Sequence, residues 1–170
     1  KAHVRFVANS SSSGTWKKLK EMPDRWTIEY PLESQKLKGK SQKAESSPTP
    51  SPSSNSIKFR LSLTSFKHVG IFPEQACNWD YIAESISSFK TPEPKILNLF
   101  AYTGSFTVYA AKAGAAATVT VDMSHTYQAW TARNLALNGL ADETRHRLVT
   151  ADVNAWLEEQ AWRRERFDLI

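Results

Sequence analysis

The sequence predicts an α/β fold with a doubly wound, mainly parallel sheet, preceded by a small β-rich region. Three observations indicate this fold. Short apolar runs alternate with helical segments from residue 95 onward, which is the pattern of a parallel sheet. One of these runs turns at a glycine into a small-residue helix, and the next run ends on an acid. Before residue 64, two stretches alternate apolar and polar residues as antiparallel strands do.

Composition limits the class of protein. A length of 170 residues suits one domain, or one domain with an appendage. The single cysteine excludes an intramolecular disulfide framework and favours a reducing compartment, so we expect a cytoplasmic protein, with an organelle as the alternative. No apolar run approaches the ~20 residues of a membrane span, and the N-terminus shows no signal-peptide core, so we expect no membrane association.

Positive charge is concentrated in the N-terminal part of the sequence. Residues 1–60 contain 12 of the 22 lysines and arginines but only 5 of the 17 acids, hence a net charge of about +7. The remaining residues have a net charge of about −2. A basic region beside a nearly neutral α/β region suits a polyanionic partner such as RNA. Alternatively, the lysines between residues 36 and 43 only solvate a low-complexity loop.

Residues 1–63 are predicted to form the β-rich basic N-terminal region. Strands are predicted at residues 4–8, 25–30 and 57–63. Residues 33–56 are rich in serine, proline and lysine and have too few apolar side chains to offset their ordering entropy, so we expect a disordered insertion. The strands on either side of it are expected to pair, which makes the insertion an overlong hairpin loop.

Residues 64–170 are predicted to form the α/β domain. A first helix begins near Pro73, and its buried face consists of Trp79, Ile82, Ala83 and Ile86. The predicted elements after it are strand 96–101, helix 105–113, strand 118–121, helix 124–138, strand 145–151, a helix around residues 155–161, and a fourth strand that starts at 167–170. Because the sequence ends on that strand, we expect the sheet to be incomplete at the C-terminus.

A glycine turn and two acids predict a nucleotide site at the carboxyl edge of the sheet. The turn at residues 102–104 presents backbone N–H groups at a helix N-terminus. Asp122 and Asp152 both end strands, where open α/β sheets bind their ligands. Asp122 suits the hydroxyl groups of a ribose, and Asp152 suits the amino group of an adenine.

The residues after the two acids, Met123 and Val153, are candidates to flank the purine. Either acid alone is more often a helix cap, and Met123 alone is more often a core residue. The equivalent placement of both acids favours the ligand site. The pattern therefore predicts a nucleoside cofactor, for which S-adenosylmethionine is the first candidate.

Three segments resemble a known family. They read FKHVGIFPEQACNW, LNLFAYTGSFTVYAAKAGA and TVTVDMSHTYQAWTARNLALNGL. Together they resemble the class I S-adenosylmethionine-dependent methyltransferases of the RlmI and RlmKL type, which have a Rossmann-like fold and act on large-subunit ribosomal RNA. The resemblance covers residues 59–170. It implies an S-adenosylmethionine-dependent methyltransferase, with a base in ribosomal RNA as its substrate.

The resemblance also implies which residues bind the cofactor. They are Asn98, Phe100, Tyr102, Thr103 and Gly104 in the first motif, Asp122 at the ribose, Met123 and Ser124 beside the adenine, and Asp152 at the adenine end. Phe72 and Gln75 belong to a segment that closes over the cofactor and are weaker candidates.

Two departures from the family pattern limit the prediction. The family has an Asp-Pro-Pro type motif directly after the fourth strand, whereas this sequence ends at Ile170. The catalytic residues are therefore unknown, and we expect the 170-residue chain to be inactive alone. The insertion at residues 33–56 is not part of the family pattern either. Neither the modified nucleotide nor the oligomeric state is predicted.

Other reactive or aromatic residues give weaker signals. Cys77 lies in the first turn of a helix but has no base near it in sequence, so we expect a packed thiol rather than a nucleophile. The histidines match no metal-ligand spacing, and we expect no metal. The six tryptophans are expected in the core, although Trp16 and Trp26 are candidates for stacking on RNA bases.

Two other interpretations remain open at this stage. A non-catalytic RNA-binding or assembly protein with a degenerate methyltransferase fold has the same sequence features. A nicotinamide-dependent dehydrogenase also contains such a βαβ unit, but the single glycine in the turn does not favour close approach of a pyrophosphate.

Overall fold

A computed structural model describes residues 2–11, 13–31 and 56–170 of the chain. These residues form two antiparallel hairpins and a three-stranded parallel sheet with helices on both faces. The predicted α/β class with a parallel sheet and a small β-rich N-terminal part is confirmed. The predicted disordered insertion, residues 33–56, lies outside the described residues except for Ser56.

Two hairpins precede the α/β part. In the first, β1 (Val4–Ala8) pairs with β2 (Gly14–Lys18), and in the second, β3 (Arg25–Pro31) pairs with β4 (Ser56–Ser62). The predicted pairing of the strands that flank the insertion is confirmed. Strand β2 was not predicted, because Trp16 is its only large apolar residue and gives no alternation.

The first helix follows a short 3-10 turn. The turn, Pro73–Gln75, leads into α1 (Ala76–Ser88), close to the start that proline predicted. Proline suits this position because its φ is already helical and it lacks an N–H group that would be unpaired there. Trp79, Ala83 and Ile86 are buried, as their helical spacing predicted, whereas Ile82 is only half-buried.

The parallel sheet has the strand order β5-β6-β7. Its strands are β5 (Lys95–Leu99), β6 (Ala117–Asp122) and β7 (His146–Thr150). Leu169 lies on the free side of β5, where its carbonyl accepts from the Leu97 N–H at 2.9 Å. The chain therefore runs outward from β5 to β7 and then returns to the other side of β5. Open α/β sheets bind ligands at such a topological switch point.

Helices cover both faces of the sheet. They are α2 (Ser105–Lys112), α3 (His125–Leu137) and α4 (Val153–Arg163). One core cluster places Leu97, Val119, Val121, Val153 and Trp156 between the sheet and α4. Another places Ile96, Ala110 and Ala115 with Ile86 on the side of α1 and α2. In the described ranges, no helix combines the length and the apolar character needed to cross a membrane.

The second hairpin shares the largest core cluster with the helices. Phe59 of β4 packs with Trp79 of α1 and Tyr109 of α2. The ring centroids of Trp79 and Tyr109 are 4.9 Å apart, and those of Phe59 and Tyr109 are 6.0 Å apart. Apolar contacts therefore cross the predicted domain boundary between residues 63 and 64. The division into residues 1–63 and 64–170 stays a prediction.

Several sequence-based expectations are wrong in detail. Strand β5 ends at Leu99 rather than at residue 101, because Phe100 already has a left-handed backbone with φ 53°. The predicted fourth strand is reduced to one bridge, between Ile96 and Leu169. In α3, Ala132 and Leu137 are exposed although both are apolar. The buried residues of this helix are Gln128, Trp130, Thr131, Asn134 and Leu135.

The tryptophans divide into three groups. Trp79, Trp130 and Trp156 are buried as expected, whereas Trp16 and Trp26 are half-buried. Trp162 contradicts the core expectation, because it is 89% exposed on α4.

Candidate functional site

The turn between β5 and α2 has an alternating backbone. Phe100, Tyr102 and Gly104 have positive φ angles of 53°, 52° and 74°, whereas the residues between them do not. Alternation of this kind points successive backbone N–H groups into one concavity, called a nest, which binds anions. Non-glycine residues hold such angles only where the surrounding structure fixes them.

Gly104 ends the turn and is the N-cap of α2. It makes no side-chain cap, so the first N–H groups of the helix are not covered by a capping side chain. Glycine is also required by space, since a Cβ there would lie 2.3 Å from Cγ2 of Thr131. The N-terminus of α2 therefore suits a carboxylate or another anionic group.

Asp122, at the end of β6, holds the turn. Its Oδ2 accepts from the Tyr102 N–H and its Oδ1 accepts from the Ser124 N–H, both at 2.9 Å. A carboxylate offers about four acceptor positions, so roughly two remain for the hydroxyl groups of a ribose. Asp122 is not the cap of α3, because the Ser124 hydroxyl accepts from the Tyr127 N–H at 3.3 Å.

Hydrogen bonds from α3 tie the carbonyl groups of the turn inward. The Thr131 hydroxyl shares its one proton between the Tyr102 carbonyl at 3.3 Å and the Tyr127 carbonyl at 3.1 Å, and Nδ2 of Asn134 donates to the Thr103 carbonyl at 2.9 Å. Thr103 is buried, and its own hydroxyl donates to the Gly70 carbonyl at 2.6 Å. These bonds fix the turn against α3 and the Gly70 segment.

Asn98 of β5 supports the turn from below. Its Nδ2 donates to the Thr107 hydroxyl at 2.9 Å, and the hydroxyl groups of Thr107 and Thr120 are 2.8 Å apart. The three side chains join β5, α2 and β6 beneath the site. The side chain of Asn98 therefore acts within the protein interior in this structure.

Two site residues present large apolar side chains to solvent. Phe100 and Met123 are both 73% exposed, and each follows the last residue of a strand. Ligand pockets are lined mainly by apolar side chains with a few placed polar groups. These two side chains are suited to contact with the flat face of a purine.

A row of aromatic rings borders the turn. The Phe72 ring lies 4.7 Å from that of His68 and 5.2 Å from that of Tyr102, which lies 4.6 Å from that of Tyr127. Burial, and then the neighbouring Tyr127, raises the pKa of Tyr102 to about 12. Burial, and then the Asp122 carboxylate, also raises the pKa of Tyr127. Both hydroxyl groups are therefore neutral near pH 7.

Asp152 follows β7 and is the N-cap of α4. Its Oδ1 accepts from the Ala155 N–H at 3.0 Å, and its side chain is exposed. Val153, the next residue, is 4% exposed and packs with Trp156 in the core. Its side chain has little surface to offer a purine, so Met123 is the better placed of the two candidates.

The structure joins some of the predicted site residues directly and leaves others apart. Asp122 contacts Tyr102 and Ser124, whereas Asp152 lies one strand further along the same carboxyl edge. Sequence reasoning missed three residues that hold the turn: Gly70, Thr131 and Asn134. The signal for the last two was the recurrence of polar residues on one face of α3.

Three further expectations concern residues outside the turn. Cys77 is exposed rather than packed, and its Sγ lies 3.9 Å from the Glu74 carbonyl. Gln75 accepts a hydrogen bond from the side-chain amide of Asn78 at 2.7 Å. Among residues 2–11, 13–31 and 56–170, no group of three or more His, Cys, Asp or Glu side chains is arranged to hold a metal ion.

The site combines a nest-like turn, a helix N-terminus and an acid on the adjacent strand, and all three lie at a topological switch point. This combination defines a nucleotide-binding α/β protein. The particular family follows from a family model of S-adenosylmethionine-dependent methyltransferases, which matches residues 43–161. The chain belongs to this family. S-adenosylmethionine is therefore confirmed as the cofactor of the family, and a nicotinamide-dependent dehydrogenase is no longer supported.

Curated relatives are methyltransferases of large-subunit ribosomal RNA. Ribosomal RNA large subunit methyltransferase K of Neisseria meningitidis is 42% identical over 116 residues, which are 68% of this chain and 31% of that protein. Ribosomal RNA large subunit methyltransferase K/L of Methylococcus capsulatus is 61% identical over 74 residues, which are 44% of this chain and 10% of that protein. The chain thus spans less than a third of the length of these relatives.

Solved structures show the same fold. The S-adenosylmethionine-dependent methyltransferase from Agrobacterium tumefaciens matches with a TM-score of 0.77 and 25% identity, over 99% of this chain and 45% of that one. A second methyltransferase, solved as a complex with S-adenosylhomocysteine, matches with a TM-score of 0.58 and 28% identity, over 66% of this chain and 29% of that one.

Proposed function

We propose that this chain forms the cofactor-binding part of an S-adenosylmethionine-dependent methyltransferase that modifies a base in large-subunit ribosomal RNA. The observation that supports it most is the hydrogen bond from the Tyr102 N–H to Asp122, which joins the ends of two adjacent strands at the switch point. The names of the curated relatives support ribosomal RNA as the substrate. Such a substrate implies a compartment that contains ribosomes, for which we propose the cytoplasm.

The residues at the carboxyl edge fit the chemical groups of the cofactor. Asp122 accepts from the ribose hydroxyl groups, and Asp152 accepts from the adenine amino group beside its capping bond. Phe100 and Met123 contact the purine through exposed apolar surface. The N–H groups at the start of α2 bind the carboxylate of the methionine part.

The contribution of this chain to the reaction is orientation. When bound, the cofactor supplies a methyl group activated by a positively charged sulfur. The turn is fixed by Asp122 on one side and by Thr131 and Asn134 on the other. A rigid turn holds the methyl group in one direction relative to the acceptor, which is a proximity effect.

Two positive charges on the β1–β2 hairpin support the proposal that the methyl acceptor is a polyanion. Arg5 and Lys17 are directly opposite each other across the two strands, and both are exposed. Like charges in this arrangement destabilise a sheet. Within the part of the chain that the structure describes, neither side chain belongs to an ion pair. A phosphate backbone would neutralise both charges.

Calorimetric titration with S-adenosylhomocysteine tests the proposal. We expect the wild-type chain to bind, and Asp122→Asn to bind at least about tenfold more weakly, because hydrogen bonds to a charged acceptor contribute about 1.5–3 kcal/mol. Glu93→Gln is the matched control, since it removes an exposed acid in the loop before β5 and should leave the affinity unchanged.

The outcomes separate the two remaining interpretations. Binding that Asp122→Asn abolishes or weakens supports the methyltransferase site. No detectable binding by the wild type, with affinity for RNA intact, would instead support the non-catalytic RNA-binding interpretation.

A further inference from the structure

The segment RNLALNGL contains two asparagines whose role the cofactor site alone does not explain. Asn134 lies in the last turn of α3, Asn138 is the C-cap four residues later, and both are buried. This helix packs against β4 of the second hairpin. Buried amide groups need hydrogen-bond partners, so their contacts show what the helix holds.

Both amides bond to the backbone of β4. Oδ1 of Asn138 accepts from the Lys58 N–H at 2.9 Å, and its Nδ2 donates to the Lys58 carbonyl at 2.8 Å. Oδ1 of Asn134 accepts from the Arg60 N–H at 3.0 Å, and Nε1 of Trp130 donates to the Arg60 carbonyl at 2.8 Å. The side chains of α3 thus take the place of a neighbouring strand along this edge of β4.

Asn134 differs from Asn138 in one contact. Nδ2 of Asn134 donates to the Thr103 carbonyl in the turn, whereas Nδ2 of Asn138 donates to the Lys58 and Asn134 carbonyls. Asn134 is 0% exposed, so water cannot replace either of its partners. Loss of either bond leaves a buried polar group unpaired, which is costly. One amide group therefore joins the hairpin to the turn.

We propose that Asn134 is a positioning residue that couples the β3–β4 hairpin to the cofactor-binding turn, while Asn138 anchors the same hairpin without this coupling. The inference rests on the cofactor site proposed above. The turn keeps its alternating backbone only while its carbonyls are bonded inward, and one of these bonds depends on an amide that β4 also holds. Cofactor affinity and the stability of β4 are then linked reciprocally.

A matched pair of substitutions separates coupling from anchoring. Asn134→Asp keeps an acceptor for the Arg60 N–H but replaces the donor that faces the Thr103 carbonyl. Asn138→Asp makes the same chemical change away from the turn. We expect both to lower the melting temperature. Asn134→Asp should weaken S-adenosylhomocysteine binding by about tenfold and Asn138→Asp by less than about twofold.

The pH dependence of S-adenosylhomocysteine affinity distinguishes a positioning role from a purely structural one, which would leave it unchanged. A protonated carboxyl group can donate a hydrogen bond, whereas a carboxylate cannot. Lowering the pH from about 8 to about 5.5 should therefore restore part of the affinity of Asn134→Asp, since burial raises the pKa of a carboxyl group. The wild-type chain serves as the reference at each pH.

Hydrogen exchange of the wild-type chain gives a measurement that does not depend on a variant folding. Saturating S-adenosylhomocysteine should slow exchange of the Arg60 amide, which bonds to Asn134, more than that of the Lys58 amide, which bonds to Asn138. Equal responses of the two amides, or equal affinities of the two variants, would overturn the coupling and leave the cofactor site standing. Absence of binding by the wild type would overturn both.

Discussion

Asp152 has two roles that can be tested separately. It caps α4 in the structure, and we propose that it also contacts the adenine. Serine caps a helix about as well as aspartate but has a shorter side chain and no charge. Asp152→Ser should therefore leave the melting temperature nearly unchanged and weaken S-adenosylhomocysteine binding severalfold. Asp152→Ala should weaken binding similarly and also cost about 1 kcal/mol of stability through loss of the bond to the Ala155 N–H.

Calorimetry and thermal unfolding of both variants measure the two tasks independently. Wild-type affinity in Asp152→Ser would show that the carboxylate only caps α4. The cofactor site would then depend on Asp122 alone among the two strand-end acids.

His146, the first residue of β7, makes stability depend on pH. It is buried, and its Nδ1 lies 3.1 Å from the Thr118 hydroxyl. Burial, and then the nearby Arg145, lowers the pKa of His146 below its usual 6.5, with Asp142 opposing the shift. The unfolded chain then binds the proton more readily. The contribution to stability is therefore present above pH 6.5 and is lost as the pH falls through the folded-state pKa.

Thermal unfolding between about pH 7.5 and about pH 5 measures this contribution, because most carboxylates titrate below that range. The melting temperature of the wild type should fall toward pH 5, and that of His146→Gln should fall less. His125→Gln changes an exposed histidine of α3 and should follow the wild type. If the melting temperature of His146→Gln falls with pH as steeply as that of the wild type, the prediction is wrong.

Individual site residues could be predicted from sequence where they follow the end of a strand. Asp122 and Asp152 each come after an apolar run, so the sequence pattern alone places them at a common edge of the sheet. Thr131 and Asn134 were not predicted, because their partners are backbone carbonyls about 30 residues earlier in the chain. Polar residues that recur on one face of α3 are a local signal, but the partners that allow their burial are distant in sequence.

At the scale of elements, the β1–β2 hairpin carries a charge arrangement that costs stability. Lys17→Thr removes one of two like charges that lie directly opposite each other and introduces a residue with high β-propensity. It should stabilise the hairpin by about 0.2–1 kcal/mol. If the hairpin binds phosphates, the same change should weaken binding to single-stranded RNA and reduce the salt dependence by about one counterion.

Lys90→Thr is the control for this element, because it removes an exposed lysine after α1 rather than one in the hairpin. Thermal unfolding and filter binding at several salt concentrations measure the two effects. If Lys17→Thr is more stable but binds RNA with unchanged affinity, the hairpin does not contact the RNA substrate.

Most elements were predicted, and the failures have physical causes. Strand β2 is held by long-range contacts: Nε1 of Trp16 donates to the Phe66 carbonyl at 3.1 Å, and the Gly14 N–H donates to the Ser65 carbonyl at 2.9 Å. These partners lie about 50 residues later, so local alternation gave no sign of the strand. Strand β5 ends early because Phe100 and Tyr102 adopt left-handed angles that only the bonds around the turn make tolerable.

At the scale of the whole molecule, the largest core cluster decides how the chain unfolds. Phe59 of the second hairpin is buried against Trp79 and Tyr109, which belong to helices of the α/β part. A hairpin that shares its core in this way should not unfold separately. Phe59→Ala should therefore lower the free energy of unfolding by about 3–5 kcal/mol and leave one cooperative transition.

Phe6→Ala is the matched control, because Phe6 lies in the first hairpin, is half-buried and packs edge-on against Trp16 at 5.1 Å between ring centroids. Its loss should cost clearly less, since less apolar surface returns to water. Circular dichroism at 222 nm and tryptophan fluorescence should give coincident melting curves for both variants. Two separate transitions in Phe59→Ala would show that residues 1–63 form an independent unit. The amide of Asn134 would then link two domains rather than two parts of one.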